Sequence, residues 1–181
     1  MNERTFGGDA GRLRDPARLA LLEIERVVAA SMEKLAIRSM LDIGTGTALF
    51  AEAFAKVGVS VAGIDIKDTM VNEAQRLLPE GDFRIGSAEK IPYENGSFDL
   101  VFLGHVLHET DDTTKALMEA RRVARKRVVV LEWPYVEGKT GPPLAHRLRP
   151  DQVIDSAKSA GFKKVEDIHL KHMVLYRMDI S

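Results

Sequence analysis

The sequence predicts an α/β protein built on a mostly parallel sheet. Through the middle of the chain, short apolar runs alternate with longer runs of helical period, the pattern of strand–helix–strand units. Gly44 and Gly46 lie where one short run gives way to a periodic one, the place where open parallel sheets bind nucleotides. The β-branched apolar run within Arg127 to Glu132 reads as a central strand covered on both faces.

Residues 1–15 are rich in Gly, Arg and Asp with little periodicity and read as a flexible arm. Asp15 is placed to cap, and Pro16 to open, a leading helix over 16–30, whose apolar residues from Leu19 to Val28 recur at helical spacing. A strand from Met40 to Ile43 then runs into the glycines, and a helix from Leu49 to Val57 is closed by Gly58. Val59 to Ile64 forms the second strand, and a helix from Asp68 to Leu78 stops at Pro79. Asp82 to Ile85 is the third strand. The turn Glu94-Asn95-Gly96 leads into the fourth, Ser97 to Leu103. A helix over Thr113 to Ala124 precedes the fifth strand. After the Gly141-Pro142-Pro143 break come a helix from Pro150 to Ala160, ended by Gly161, and closing strands Lys164 to Leu170 and His172 to Met178.

Composition narrows the function. With 181 residues, 45% hydrophobic and 29% charged, the chain reads as one domain. The absence of Cys excludes a disulfide scaffold, Cys-ligated zinc, iron–sulfur clusters and a thiolate nucleophile. Lys plus Arg (26) balance Asp plus Glu (27), so no global field gathers nucleic acid. No apolar run approaches the roughly 20 residues of a membrane span, and Met1 to Ala10 lacks the apolar core of a signal peptide. A cytoplasmic location is expected.

The loop Asp42-Ile43-Gly44-Thr45-Gly46-Thr47-Ala48 carries the functional signal. Side chains at its glycines would block a tight turn or a close ligand. About 20 residues beyond Gly44, Asp65 ends the second strand, where a carboxylate accepts from ribose hydroxyls. A dinucleotide fingerprint needs a glycine at Leu49 and tolerates Asp42 poorly, because that carboxylate would repel a pyrophosphate. A ligand with an ammonium or sulfonium group is drawn to it instead.

These residues resemble the class I S-adenosylmethionine-dependent methyltransferases, of the small type found in ubiquinone and menaquinone biosynthesis. The resemblance is close over 37–132 and looser over 133–181. It implies a three-layer, Rossmann-like sandwich whose seven-stranded sheet has the order 3-2-1-4-5-7-6 with an antiparallel last strand. It also implies S-adenosylmethionine as cofactor and S-adenosylhomocysteine as product. Asp42, Gly44, Gly46 and Thr47 would contact the amino-acid end and Asp65 the ribose. Ile66 and Met70 would sandwich the adenine, with Ser87, Ala88 and Glu89 standing where many members have Asp-Ala-Glu, and Gly104 closing the site. Ala48 stands for a third glycine, and the Lys-Pro-Gly-Gly turn before the fifth strand is missing.

Methyl transfer is an in-line displacement, served by alignment and by a base where the acceptor carries a proton. His105 and His108, after the fourth strand, are the candidate catalytic residues, sharing one face if they lie on a helical turn. His-x-x-His-Glu fits no zinc motif, and no metal is expected. His108, Trp133, Tyr135, His146 and Arg147 are expected to line the acceptor site, with Arg147 fixing an anionic acceptor. Arg12, Arg14, Asp15 and Arg18 resemble the lids of related small methyltransferases, and the basic cluster from Arg121 to Arg127 reads as a helix C-terminus. The expected partner is a small-molecule acceptor, with no nucleic acid and no membrane span, the chain acting as a monomer or homodimer. A noncatalytic cofactor-binding scaffold and a nicotinamide oxidoreductase are the alternatives.

Overall fold

The computed structural model describes residues 10–180. Short helices α1 (Ala10–Leu13), α2 (Pro16–Leu22) and α3 (Ile24–Met32) come first. Asp15 caps α2 by accepting from the Ala17 N–H, and Pro16 starts it with a pre-set φ. The single helix expected over 16–30 is two helices, broken at Glu23, whose backbone is left-handed (φ 46°). The Glu23 carboxylate accepts from the Arg26 side chain and the Lys171 N–H. Apolar spacing runs through the break because both helices pack on the same core, so periodicity does not register it. Of the arm predicted over 1–15, residues 1–9 lie outside the described residues.

The strands are β1 (Ser39–Ile43), β2 (Ser60–Asp65), β3 (Asp82–Ile85), β4 (Phe98–Gly104), β5 (Ala124–Glu132), β6 (Glu166–His169) and β7 (Val174–Asp179). They form one sheet of order β3-β2-β1-β4-β5-β7-β6, as the resemblance implies. The first five are parallel, and β7 is antiparallel to both β5 and β6. Helices α4 (Leu49–Lys56), α5 (Asp68–Leu77), α6 (Thr113–Val123) and α7 (Pro150–Ser159) complete the layers. Alternation sends Met40, Val61, Leu100, Phe102, Val129 and Leu131 to the face covered by α3 and α4, where Phe102 meets Phe50 and Phe54. Leu41, Ile64, Val101, Leu103, Val128 and Val130 face α6 and α7. Each fully buried large side chain stabilises the fold by about 1.5–3 kcal/mol.

Two further expectations change. Helix α6 passes into β5 at Ala124, so the fifth strand starts before Arg127. The closing strands are shorter than 164–170 and 172–178, because Leu170 to Met173 turns between them, with the Leu170 N–H donating to the Met173 carbonyl. Among the described residues no helix is long and apolar enough to cross a membrane. Because β1, β2, β4 and β5 are parallel, the residues that follow them emerge along one carboxyl edge of the sheet.

Candidate functional site

The glycine loop leaves β1 at that edge. Gly44 (φ 67°), Gly46 (φ 53°) and Ala48 (φ 57°) are all left-handed, a conformation that favours glycine. A Cβ at Gly44 would lie 2.6 Å from Val106, and one at Gly46 2.9 Å from Leu13. Both positions therefore exclude a side chain on space as well as on φ.

Asp42 is 2% exposed. Its carboxylate accepts from the Thr45 hydroxyl (2.9 Å) and from the Ala51 N–H at the start of α4. Ala48 has no side chain with which to cap that helix, so Asp42 supplies the cap from the sheet. Burial, and then the neighbouring charge of Asp65, push the Asp42 carboxyl up to about 7. Asp42, expected to contact the cofactor's amino-acid end, orders the loop from beneath.

Asp65 ends β2 and joins its two neighbours. One oxygen accepts from the Gly46 N–H and the other from the Lys67 N–H, each at 3.0 Å, which ties the second strand to the glycine loop. A carboxylate oxygen that accepts one backbone bond retains a lone pair for a hydroxyl. Ile66 is 55% exposed beside it, an apolar surface suited to a flat base. Met70, expected to share that role, is buried, and Ala88 is buried after β3 with Ser87 partly covered. Glu89 turns elsewhere: its Oε1 accepts from the Asp111 and Asp112 N–H groups ahead of α6. The loop, Asp65 and Ile66 fit a nucleoside.

Gly104, the last residue of β4, pairs with Leu131 and leads into His105 and then a 3-10 turn over Leu107–Glu109. The two histidines do not share a helical face. His105 stands outside the turn in left-handed backbone (φ 59°), its ring stacked on Trp133 with centroids 5.3 Å apart, whereas His108 lies within the turn. Burial, reinforced by the charges of Arg18 and His108, holds His105 well below the ordinary imidazole range. His108 is clasped by Glu132 at the end of β5: its Nδ1 lies 2.8 Å from Oε2, and its backbone N–H donates to Oε1. Both side chains are buried. The strand-end position that pointed to Asp65 points equally to Glu132, which in the sequence reads only as the end of the fifth strand.

The segment after β5 folds around Trp133. A Cβ at Gly141 (φ 83°) would lie 2.6 Å from the indole, and the Arg147 guanidinium lies 5.6 Å from its ring centre. Arg147 is buried and donates to the carbonyls of Pro134, Val136, Thr140 and Pro142. It braces the loop, which replaces the expected anion-fixing role, since these bonds engage every nitrogen of the guanidinium. Tyr135 is exposed and His146 partly covered, both on this loop.

The amino-terminal helices cross the glycine loop. Leu13 approaches Gly46, and Arg14 donates to the Thr47 hydroxyl and carbonyl and pairs with Glu52 at 2.8 Å. Arg18 is partly covered, and burial lowers its pKa. In the basic cluster, Arg122 pairs with Glu119, Arg125 and Lys126 with Asp99, and Arg127 with Asp179.

Comparison with known proteins agrees with this geometry. Residues 41–131 match the family described as a methyltransferase domain. The chain is similar to the demethylmenaquinone methyltransferase of Thermotoga maritima, 26% identical over 175 residues that cover 77% of this chain and 74% of that protein. It is 30% identical over 112 residues to the Renibacterium salmoninarum enzyme of the same name, covering 61% of this chain and 47% of that one. The chain thus spans about half the length of most of the curated relatives it matches. A crystal structure of a SAM-dependent methyltransferase from Aquifex aeolicus superposes with a TM-score of 0.84 at 23% identity, covering 96% of this chain and all of that one, and shares the fold. With half of its length in the family match and the sheet order that the family implies, the chain belongs to the class I S-adenosylmethionine-dependent methyltransferase family.

Proposed function

We propose that the protein transfers a methyl group from S-adenosylmethionine to a small-molecule acceptor, a reading supported above all by Asp65 tied to the glycine loop at a strand end. When bound, the cofactor supplies a methyl carbon on a sulfonium, and the acceptor-to-carbon bond forms as the sulfur-to-carbon bond breaks. Gly44, Gly46 and Thr47 would hold its amino-acid end over the buried Asp42. Asp65 would accept from the ribose, and Ile66, Ser87 and Ala88 would border the base. Gly104, ending β4, and His105 after it lead toward the acceptor.

On the acceptor side the stacked His105 and Trp133 form a flat wall, and Tyr135 and His146 lie on the braced loop beyond it. His108 takes the acceptor's proton, with Glu132 as the positioning residue: where the ring proton sits on Nδ1, the Glu132 carboxylate accepts it and Nε2 is the basic nitrogen. The names of the curated relatives support a demethylmenaquinone-type ring as the acceptor class.

Calorimetric titration with S-adenosylmethionine, S-adenosylhomocysteine and NAD tests the cofactor. Micromolar binding of both sulfur nucleosides is expected, weakened roughly 10- to 100-fold in Asp65→Ala. Preferential binding of NAD would sink the reading.

A further inference from the structure

Residues 133–149 connect β5 to α7 by a path far longer than the roughly 4–6 residues usual between such elements, and the 3-10 turn Leu144–His146 is its only regular piece. Tyr135 to Gly141 are exposed, so apolar burial does not hold this stretch in place. What holds it is Arg147. Its Nη1 donates to the carbonyls of Pro134 (3.0 Å) and Val136 (2.8 Å), on the two sides of Tyr135. Its Nε and Nη2 donate to those of Pro142 (2.9 Å) and Thr140 (2.6 Å) on the returning limb, so that both limbs close around one guanidinium. Arg147 is 7% exposed, and among the described residues no acidic side chain pairs with it, whereas Arg127 and Arg177, which brace α3, each have one. Burying that charge without an anion is costly, and an exposed loop adds little to the fold in compensation.

The brace fixes two aromatic side chains at the carboxyl edge. Trp133 is held by the His105 ring stacked on it and by Gly141, which has left-handed backbone (φ 83°) and no room for a Cβ beside the indole. Tyr135, 40% exposed, stands between the two carbonyls that Nη1 takes, and Glu132, which clasps His108, immediately precedes Trp133. We infer that Arg147 is a positioning residue for the acceptor: by closing 134–142 it keeps Trp133 against His105 and Tyr135 on a fixed backbone, so that a flat aromatic acceptor meets a surface already formed. Such preorganisation spares the acceptor the ordering of the loop on binding. The inference rests on the methyl-transfer reading for the presence of an acceptor at this edge.

Trp133 is the only tryptophan of the chain, so its fluorescence reports this loop, and with no Cys present a quinone has no thiol to alkylate. The probe is unsubstituted naphthoquinone, titrated into protein saturated with S-adenosylhomocysteine, and a saturable quench of Trp133 is expected. Arg147→Met should shift the Trp133 emission to the red and weaken the quinone about 10-fold or more, with S-adenosylhomocysteine affinity unchanged. Arg147→Lys, which keeps the charge without the planar fork, should recover part of the quinone affinity. Gly141→Ala opens the same loop at an exposed position and should reproduce the loss, which covers the case in which Arg147→Met does not fold. Parental quinone affinity in folded Arg147→Met, or in Gly141→Ala where the first variant does not fold, overturns the inference, since a brace of the fold alone lowers the melting temperature without touching the acceptor. A parent that binds S-adenosylhomocysteine and not the quinone overturns the inference and leaves methyl transfer standing. A parent that binds neither S-adenosylmethionine nor S-adenosylhomocysteine overturns the methyl-transfer reading, and the acceptor role of Arg147 falls with it.

Discussion

At the amino edge of the sheet Asp99 accepts from the Arg38 N–H and pairs with Arg125 and Lys126, whereas at the carboxyl edge His105 is buried with no partner for either nitrogen among the described residues. Arg127 and Arg177 extend the first pattern. Arg127 donates to the Ser31 and Glu33 carbonyls and pairs with Asp179, and Arg177 donates to the Ala30 carbonyl and pairs with Glu33 and Glu166, so both brace the end of α3. The carboxyl edge differs: a carboxyl is pushed to about 7 at Asp42, and Ala48 and His105 are two of the four left-handed non-glycine residues among those described. One edge satisfies its polar groups and holds the fold. The other keeps strained and unsatisfied groups, where binding a ligand is the return on the strain.

The comparison breaks most visibly at Arg127. Arg127→Met leaves buried α3 carbonyls without donors, and chemical denaturation should register a loss of about 3–5 kcal/mol with S-adenosylhomocysteine affinity unchanged in the folded fraction. Equal stability would mean that the amino edge is not the brace described here.

At the other edge the largest effect depends on pH. The Asp42 carboxyl is raised in the fold from 3.8 to about 7, so its contribution to stability is fully present below about pH 4 and lost as pH rises through about 7, a change of at most about 4 kcal/mol. His105 acts in the opposite sense: held neutral, it removes stability as pH falls below the ordinary imidazole value near 6.5. Asp42→Asn deletes the first effect and keeps the second. Its melting temperature relative to the parent should therefore rise between pH 4 and pH 8, and parallel curves would refute the protonation of buried Asp42.

Glu132→Gln sharpens the contrast between positioning and binding. With a demethylmenaquinone-type quinol as acceptor, turnover should fall about 100-fold while S-adenosylhomocysteine affinity holds, and His108→Gln should fall as far with no additional loss in the double variant. Additive losses would show that Glu132 does not act through His108. The smallest effect is at Ala48. Ala48→Gly relieves roughly 1–2 kcal/mol of left-handed strain but removes a buried methyl worth about 0.8 kcal/mol and adds chain entropy, so stability should shift by less than about 1 kcal/mol.

Much of the fold is legible in the residues because its signals are local. The strand-to-helix change at Gly44, the stops at Pro79 and Gly161, and the turn before Phe98 each lie within a few positions of the element they bound. The break at Glu23 is hidden because the apolar stripe continues through it. Arg127 reads as part of an apolar run although its guanidinium reaches α3 and Asp179. At the site, the loop and Asp65 stand out by spacing. Arg147 was legible as a charge and not as a brace, since its carbonyl partners depend on how the loop folds back.

By itself the sequence determined the alternation of strands and helices, the glycine turn and the carboxylate ending the next strand, because period, φ preference and turn chemistry act over neighbouring residues. Only the tertiary structure decided that Asp42 faces inward, that Glu132 clasps His108 from 24 positions away, and that His105 stacks on Trp133. Those pairings follow from parallel strands delivering distant segments to one edge, where burial sets the charge state of each group and chain spacing carries no record of it.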